Sequence, residues 1–525
     1  MDKSIQSATL LQPVLLGKGA DVKLRYSMDM SPLDYAARKG CTEVVELLLH
    51  HGVDVNSGNA EQAALFFAVK YGNNEVVELL LKHGASMEFA NTELGCKTAL
   101  IQAANLGHAD VIATLISHGA DPLQSDINGN TPLSMATATT ANRRVEAVQM
   151  LLKNGAEAEL TQNGGITTLR HAVGSAADAQ RRAWDEDADP DTEKESLELV
   201  RLPLDHGAVA SASDDHGTAL HCAVTLNYQK IAELLLRNNV PVNATNSEGM
   251  TALHFAVSPR CSLSPDECVD MVQLLVSNGA DARALDNRGQ TPLHIAAGLS
   301  LEFSDILLKV SNAVADDNVL AVRDYTGRTA LHNSARFCNG MTTKLLLENG
   351  ADPNARDIYG QTALHEAART CGERGEIGAI KALLENSSID INSKNKMGRT
   401  PLFLAVTSKN LEAVQLLVSK GARTDTEDMC QCSILLAAAR HACFDIVNYL
   451  LENDLVDIPS SLCALDSFGR TPMWWARSMD DTRLMGVLQR FGASIEDTGS
   501  DPNPVLLRES KLRSTSSGRP ACIVS

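Results

Sequence analysis

The stretch Asp286-Asn-Arg-Gly-Gln-Thr-Pro-Leu-His-Ile-Ala-Ala297 contains the two signals that decide the fold. Thr291 and Pro292 are typical of a helix start, because a threonine hydroxyl caps free N–H groups of the first turn and proline needs no N–H there. A leucine and paired alanines then place a narrow apolar stripe on the helix, so that a neighbouring helix packs closely. The preceding Asp-x-x-Gly predicts a tight turn, since aspartate closes an Asx turn and glycine adopts positive φ.

The heptapeptide that begins at Thr291 occurs thirteen times, at intervals of 32 to 51 residues. The clear copies begin at Ser31, Thr98, Thr131, Thr251, Thr291, Thr362 and Thr471, and degenerate copies begin at Ala63, Thr167, Thr218, Thr329, Thr400 and Cys432. A second apolar pattern follows, as in Glu43-Val-Val-Glu-Leu-Leu-Leu49, and stops before Gly52. Glycine at that point is typical of a helix C-terminus. Each repeat is therefore predicted to contain two helices and a projecting turn.

This repeat, with a period near 33 residues, closely resembles the ankyrin-repeat family, whose signature is Thr-Pro-Leu-His-x-Ala. The resemblance covers about residues 29 to 498. It implies an all-α ankyrin-repeat solenoid of stacked helix-turn-helix units with projecting β-turn or hairpin fingers. The family's histidine in the fourth slot is kept at His221, His254, His294, His332 and His365. The resemblance implies that each ring ties its repeat to a neighbour, so we interpret these histidines as structural.

The predicted organisation has three parts. Residues 1–28 are interpreted as an N-terminal half-repeat cap, although a truncated extra repeat would look the same. Residues 29–498 form an array of about 13 repeats, and residues 499–525 form a flexible tail that is poor in apolar residues. The repeats are expected to start near residues 29, 61, 96, 129, 165, 216, 249, 289, 327, 360, 398, 430 and 469.

The fifth repeat departs most from the pattern. An acidic insertion at residues 174–196 separates its two helices. We interpret the insertion as a solvated loop, since most charge runs are solvated, and the alternative is a docking strip anchored by Trp184. Pro203 is expected to kink the second helix, because an interior proline removes a hydrogen bond.

Composition limits the classes of partner. A net charge of −19 disfavours binding to nucleic acid, which needs a dominant basic face. No apolar run approaches the roughly 20 residues that a membrane span requires. Twelve cysteines in 525 residues are too dilute for a disulfide framework, and a reducing cytosol suits them. We therefore expect a monomer with a protein or peptide partner.

Catalytic and metal-binding patterns are weak in this sequence. No nucleophile, base and orienting group occur together, so we expect no enzyme activity and no cofactor. Cys430, Cys432, His441 and Cys443 approach the density of a zinc site. Cys432 occupies the position of the capping threonine, which would place the two pairs at opposite ends of one helix, roughly 10 Å apart. That separation argues against a metal site.

The resemblance also implies where a partner binds. In the ankyrin-repeat family the partner surface is usually formed by the projecting turns and by the exposed end of each first helix. Tyrosine, phenylalanine and arginine are the residue types that become binding hot spots. The alternative is that these tips and helix ends are merely solvated. The candidate partner-binding residues are Tyr325, Arg336, Phe337, Tyr359, Arg369, Met397 and Phe468.

The last four residues, Cys522-Ile523-Val524-Ser525, resemble a CaaX prenylation box, and a terminal serine favours farnesyl. Basic residues precede the cysteine, and their positive charge would favour binding to anionic lipid. Their positions are Arg508, Lys511, Arg513 and Arg519. One lipid chain is a weak anchor, so the expected location is cytoplasmic, loosely held on the cytoplasmic face of a membrane. The alternative is an incidental cysteine.

These observations predict a non-catalytic scaffold or adaptor for protein–protein interaction, tethered through Cys522. Two alternatives stay open. One is a substrate-recognition or regulatory subunit of an enzyme complex, in a ubiquitin-ligase or kinase pathway. The other is a prenylated effector that a pathogen delivers to a host cell.

Overall fold

The structure is a computed structural model that describes residues 30–57, 63–88, 98–139, 143–158, 167–183, 190–258, 265–312, 319–374 and 376–494. Residue contacts divide the chain into two compact units. The first unit is Met1–Ala256 with Arg260–Asp281, and the second is Val257–Pro259 with Ala282–Ser525. The predicted cap, the predicted tail and Cys522 lie outside the described residues.

The described part of the first unit consists of helix pairs joined by turns. Its helices are α1 Pro32–Lys39, α2 Thr42–His50, α3 Ala64–Lys70, α4 Asn74–Lys82, α5 Ala99–Asn105, α6 Ala109–Ser117, α7 Pro132–Ala138, α8 Arg144–Lys153, α9 Thr168–Ala183, α10 Pro190–Asp205, α11 Ala219–Thr225, α12 Gln229–Arg237, α13 Ala252–Ala256 and α14 Pro265–Ser277. The short strands β1 Ser213–Asp214 and β2 Gly217–Thr218 pair antiparallel, with Ser213 opposite Thr218.

The second unit repeats the same arrangement. Its helices are α15 Pro292–Leu299, α16 Leu301–Asn312, α17 Ala330–Arg336, α18 Gly340–Glu348, α19 Ala363–Arg374, α20 Gly378–Leu384, α21 Pro401–Thr407, α22 Leu411–Ser419, α23 Ile434–Arg440, α24 Phe444–Glu452, α25 Ile458–Leu462, α26 Pro472–Ser478 and α27 Thr482–Arg490, with a 3₁₀ turn at Val319–Ala321. Within each unit, first helices pack on first helices and second helices on second helices. The predicted fold class, all-α stacked repeats, is confirmed.

The predicted helix starts follow from side-chain caps. The Thr291 hydroxyl accepts the N–H of His294 at 3.3 Å, and Pro292 occupies the first helical turn. The small residues behind the cap, such as Ala296 and Ala297, have no exposed surface. Close packing of these small side chains brings neighbouring first helices together and forms the core.

The fourth-slot histidines join one repeat to the next, as the resemblance implied. Nδ1 of His332 accepts the Thr329 N–H at 3.1 Å, and its Nε2 lies 3.1 Å from the Gln361 carbonyl oxygen in the following repeat. With Nδ1 as acceptor, Nε2 is the protonated nitrogen and donates. The same bond to the following repeat is made by His221, His294 and His365.

Asparagine side chains provide a second link between repeats. The Asn354 side chain donates to the Ser388 carbonyl at 2.7 Å and accepts the Asp390 N–H at 2.8 Å. Asn243 makes the equivalent pair of bonds to Gly279 and Asp281 in the first unit. Each side chain therefore satisfies two backbone groups of the next repeat.

The interpretation of residues 174–196 as a loop was wrong for most of that segment. The described chain is helical from Thr168 to Ala183 and again from Pro190 to Asp205, so the insertion lengthens both helices of the pair. Alanine-rich sequence before residue 183 favours helix propagation, which the count of acidic residues hid. Pro203 lies inside α10. Trp184 is outside the described residues.

The assignment of Cys432 as a helix cap was also wrong. Ser433 caps α23, and its hydroxyl accepts the Leu436 N–H at 3.3 Å. The motif of this repeat therefore begins at Ser433, one residue later than predicted. Ser433 follows the turn aspartate, Asp428, by five positions, just as Thr291 follows Asp286. A serine hydroxyl is a helix cap, whereas a thiol is a poor acceptor.

The cysteines of the described residues differ in their bonding. Cys338 takes part in a disulfide, so not every cysteine is a free thiol. Among the described residues, no disulfide is formed by Cys41, Cys222, Cys430, Cys432, Cys443 or Cys463.

The helices are short or amphipathic. Among the residues that the structure describes, none of the helices combines the length and the apolar character needed to cross a membrane.

Burial of the slot histidines predicts acid sensitivity. Desolvation lowers the pKa of His365 from its ordinary 6.5 to about 4, and it lowers the pKa of His221, His294 and His332 as well. As pH falls from about 6.5 towards 4, the unfolded chain binds protons that the folded chain does not. The stability that these neutral rings contribute is therefore complete above pH 6.5 and is lost below it.

In His365→Gln, the loss of unfolding free energy between pH 7 and pH 5 should be about 2 kcal/mol smaller than in the wild type, because one titrating ring is absent. Urea unfolding at the two pH values measures this difference. His83→Gln, which removes an exposed ring of the first unit, is the control for the substitution itself. Identical pH dependence of wild type and His365→Gln would contradict the buried neutral ring.

Candidate partner-binding surface

Each turn between repeats of the second unit is built on one acidic or amide side chain. Asp324 Oδ1 accepts the N–H groups of Thr326 and Arg328, both at 2.9 Å, while the Asp324 N–H donates to the Arg328 carbonyl at 2.8 Å. The aspartate is thereby buried, and Tyr325 and Thr326 are left at the tip. We call such a turn a finger. Equivalent fingers begin at Asp286, Asp357, Asn395, Asp428 and Asp466.

Backbone hydrogen bonds join five successive fingers tip to tip. The Tyr325 N–H donates to the Arg288 carbonyl at 3.0 Å, and the Ile358 N–H donates to the Thr326 carbonyl at 3.0 Å. The series continues from Lys396 to Tyr359 at 2.9 Å and from Met429 to Met397 at 2.9 Å. These bonds fix the spacing of the tips without using their side chains.

Glycine at the fourth finger position allows this close approach. Gly327 has φ +76°, and a Cβ placed on it would lie 2.9 Å from the backbone nitrogen of Ile358. No real Cβ is found so close to a backbone atom, so the position requires glycine for space as well as for φ. The finger that begins at Asp428 has Gln431 there instead, at φ +58°.

The structure places four of the candidate residues at finger tips. Tyr325 is 70% exposed, Tyr359 56%, Phe468 54% and Met397 40%. Large apolar groups that are this exposed on neighbouring turns are more than solubility requires, because exposed aromatic rings gain nothing from contact with water. Together with the first helices that follow the fingers, these tips form what we call the finger surface.

Sequence reasoning missed the most exposed large apolar side chain among the tips. Met429 is 75% exposed and donates its N–H to Met397, but its finger lacks the terminal glycine of Asp-x-x-Gly. The spacing of five residues from Asp428 to the helix cap Ser433 is the signal that identifies this finger. Ile358, which is 47% exposed, shares the tip of the finger at Asp357 with Tyr359.

Two of the candidate residues at helix ends also contact neighbouring residues of the fold. Arg336 is exposed, whereas Phe337, 40% exposed, lies so near Gly298 that a Cβ there would be 2.5 Å from its ring. Arg369 forms an ion pair with Glu366, three residues earlier on α19. Phe337 and Arg369 therefore hold neighbouring repeats or their own helix in place, in addition to facing solvent.

Glu366 is the centre of a buried charge cluster behind the tips. Its carboxylate is completely buried, and Arg328 from the preceding finger reaches it at 2.9 Å. Burial would raise the pKa of Glu366, but Arg369 and Arg328 offset that effect and lower the pKa overall. Because removing one member would leave a buried charge unpaired, this cluster stiffens the junction of the two repeats.

Two tryptophans lie beside the last finger of the surface, which begins at Asp466. The Arg470 guanidinium lies 5.0 Å from the Phe468 ring, 4.4 Å from that of Trp474 and 5.2 Å from that of Trp475. The Trp475 indole donates to Asp466 Oδ2 at 3.2 Å. Such stacked cation–π contacts fix the arginine in one orientation. Trp474 fills the histidine slot of its repeat, which is why its stacking was not predicted.

The cysteine and histidine group near α23 has a structural explanation. Burial raises the pKa of the Cys432 thiol to about 12 and that of Cys443 to about 11, and it lowers the pKa of His441 to about 4. Protonated thiols are weak nucleophiles and poor metal ligands. Over the residues with described positions, no three His, Cys, Asp or Glu side chains are grouped so that they could hold a metal ion.

Known proteins share this repeat architecture. A family model described as ankyrin repeats in three copies matches residues 6–91, 65–162, 192–269, 261–357 and 343–428. The mouse B-cell lymphoma 3 protein homolog is 30% identical over 312 residues, which are 58% of this chain and 58% of that protein.

Two further relatives match shorter parts. The E3 ubiquitin-protein ligase KEG of Arabidopsis thaliana is 28% identical over 43% of this chain and 16% of its own length. The human transient receptor potential cation channel subfamily A member 1 is 28% identical over 34% of this chain and 16% of its own length. The chain thus spans less than two thirds of each of these relatives.

Substituting Gly327 tests the contact between tips. Gly327→Ala should lower the free energy of unfolding by about 2–3 kcal/mol, because strain at positive φ adds to a clash with the next finger. Gly350→Ala is the control, since Gly350 has φ +91° and no atom within 4 Å of an added Cβ. Its cost should be smaller, about 1 kcal/mol. If urea unfolding ranks the two variants in the reverse order, φ strain dominates and the tip contact contributes little.

Proposed function

The chain belongs to the ankyrin-repeat family, and from that premise we propose that it is a non-catalytic scaffold or adaptor that holds a protein partner on the finger surface of its second unit. Ankyrin repeats form protein–protein interaction scaffolds, which gives the class of function. The observation that carries the choice of surface is the row of exposed tips, Tyr325, Tyr359, Met397 and Met429, which belong to fingers that backbone hydrogen bonds join tip to tip.

Rigid presentation makes these tips suitable as anchors. A bound partner immobilises side chains, and this costs less free energy when the backbone beneath them is already fixed. The Asx turns and the bonds between tips supply that fixed backbone. Aromatic and methionine side chains then offer large apolar area to a partner.

A second candidate function is a recognition subunit in an enzyme complex. The likeness to a ubiquitin ligase over 43% of this chain favours it. In that case the array would select a substrate while another chain or domain performs the reaction. Both functions use the same surface, so the identity of the captured proteins separates them: ligase components and their substrates indicate the recognition subunit.

The triple variant Tyr325→Ala/Tyr359→Ala/Phe468→Ala should lose at least about 2 kcal/mol of binding free energy, because each ring is a hot-spot type at an exposed tip. Quantitative affinity purification from cells measures the loss, and thermal unfolding checks the fold. Tyr35→Ala/Tyr71→Ala removes two exposed aromatics from the first unit and is the matched control. Retained partners in the triple variant, or a lowered melting temperature that accompanies their loss, would reject the surface.

We also propose, from the sequence motif alone, that Cys522 carries a farnesyl-type lipid and that the protein rests on the cytoplasmic face of a membrane. The motif Cys522-Ile523-Val524-Ser525 and the nearby basic residues support this proposal. A single chain gives reversible binding, so the protein would exchange between membrane and cytosol.

In eukaryotic cells, Cys522→Ser should move the membrane-bound fraction of the protein into the soluble fraction, and the intact mass of the wild type should show an added prenyl group. Cell fractionation and mass spectrometry provide the two measurements. Cys463→Ser, which alters an exposed cysteine of the second unit, should behave as wild type. An unmodified and fully soluble wild type would refute the lipid anchor and leave the scaffold function in place.

A further inference from the structure

We infer that the finger surface of the second unit binds a protein segment that is acidic and carries apolar anchor side chains. This inference rests on the proposed function, because it specifies the chemistry of the partner at the same surface. Three observations lead to it: the separation of charge within the unit, the bonding of individual arginines, and the alternation of cations with apolar tips.

Charge on the finger surface is opposite to that of the whole chain. Six stretches form the surface and contain twelve Lys and Arg against seven Asp and Glu, although the chain as a whole carries −19. Six of those seven carboxylates are buried in turns or ion pairs, and Glu427 is the exposed one. The stretches are 285–299, 323–337, 356–370, 394–407, 427–440 and 465–477. The exposed charge that a partner meets is therefore positive.

Two of the arginines bond to carbonyl or hydroxyl oxygens. Arg323 donates to the Gly327 carbonyl at 2.9 Å and to the carbonyl of Arg356 in the next finger. Arg356 in turn donates to the Lys394 carbonyl at 3.0 Å and to the Ser393 hydroxyl at 2.6 Å. These bonds orient the guanidinium groups, and among the described residues neither arginine forms an ion pair with a carboxylate. An incoming carboxylate would supply the opposite charge.

Apolar groups stand between these cations. Arg288 is on the finger that precedes that of Tyr325. Along the sequence, Tyr359 lies between Arg356 and Lys396. A purely acidic segment would leave the exposed rings and methionines uncovered, and a purely apolar one would leave the cations unpaired. A segment that combines both kinds of side chain satisfies both requirements.

Nucleic acid fits the surface less well than protein does. Its phosphates would meet the remainder of a strongly acidic chain, which opposes association. Successive bases stack on a series of free ring faces, but Trp474 is 8% exposed and both Trp474 and Phe468 are already stacked by Arg470. Aliphatic and methionine tips such as Ile358 and Met429 offer no platform for bases.

Fluorescence anisotropy with the full chain tests the inference. The probe is a labelled synthetic peptide of about sixteen residues in which Asp and Glu alternate with Leu and Trp. One control peptide replaces the acidic residues by Lys, a second replaces the apolar residues by Ser, and a single-stranded oligodeoxythymidine is the third probe. The first peptide should bind at least about tenfold more tightly than every control, and more weakly as NaCl is raised.

Two charge-reversal variants locate the binding. Arg288→Glu/Lys394→Glu/Lys396→Glu alters exposed finger cations, and Lys344→Glu/Lys381→Glu/Lys420→Glu makes the same change of charge on second helices or directly after them. The first variant should weaken the acidic peptide about tenfold or more, and the second should change it less than twofold.

Equal binding of the lysine peptide or the oligonucleotide, or equal losses in the two charge variants, would overturn the inference. Its failure is distinct from that of the proposed function. Suppose that the triple variant Tyr325→Ala/Tyr359→Ala/Phe468→Ala loses its cellular partners, while charge reversal alters neither the binding of those partners nor the binding of the peptide. The proposed surface is then supported, and the acidic class of partner is wrong. If the tip variant retains its partners, the proposed surface itself fails.

Discussion

One carboxylate or amide oxygen that accepts two backbone N–H groups is the interaction on which the rest of this structure depends. In the finger at Asp324 it closes the turn, buries the charge and leaves two residues at the tip. A buried carboxylate without partners would be costly, but two N–H donors stabilise its charged form. Because the acid is used inside the turn, the exposed charges of the finger surface are mainly positive.

Structural and binding roles are divided between side chains of the same repeat. His332 and Asn354 use their side-chain hydrogen bonds on the backbone, and each reaches the following repeat, which fixes the stack. Within the described part of the chain, the bonds between tips run through the backbone and use no side chain of Tyr325 or Met429, although the Tyr325 ring lies against Gly289 of the preceding finger. A stack of this kind tolerates changes at the tips, so one fold accommodates many partners.

Much of the fold could be predicted because each repeat position has one local physical role, in which threonine caps a helix, glycine makes a turn and alanine packs. The sequence predictions were wrong where such a role passed to another residue. Gln431 takes the left-handed position of a glycine and Ser433 the cap, which concealed Met429 behind an altered motif. The helices of the acidic insertion depend on propensity and pairing rather than on charge. Some helix-end residues face solvent and others pack against a neighbouring repeat, as Phe337 packs beside Gly298. This difference depends on contacts between repeats, which one sequence does not reveal.

We propose that the finger surface of the second unit contacts the partner while the second helices do not. A photo-crosslinking amino acid placed at Tyr359, on a tip, and at Lys381, exposed on a second helix, tests this most directly. After irradiation in cells, we expect covalent partner adducts from position 359 and none from position 381. Adducts from position 381 alone would show that the partner binds the second helices and would rule out the finger surface as the binding site.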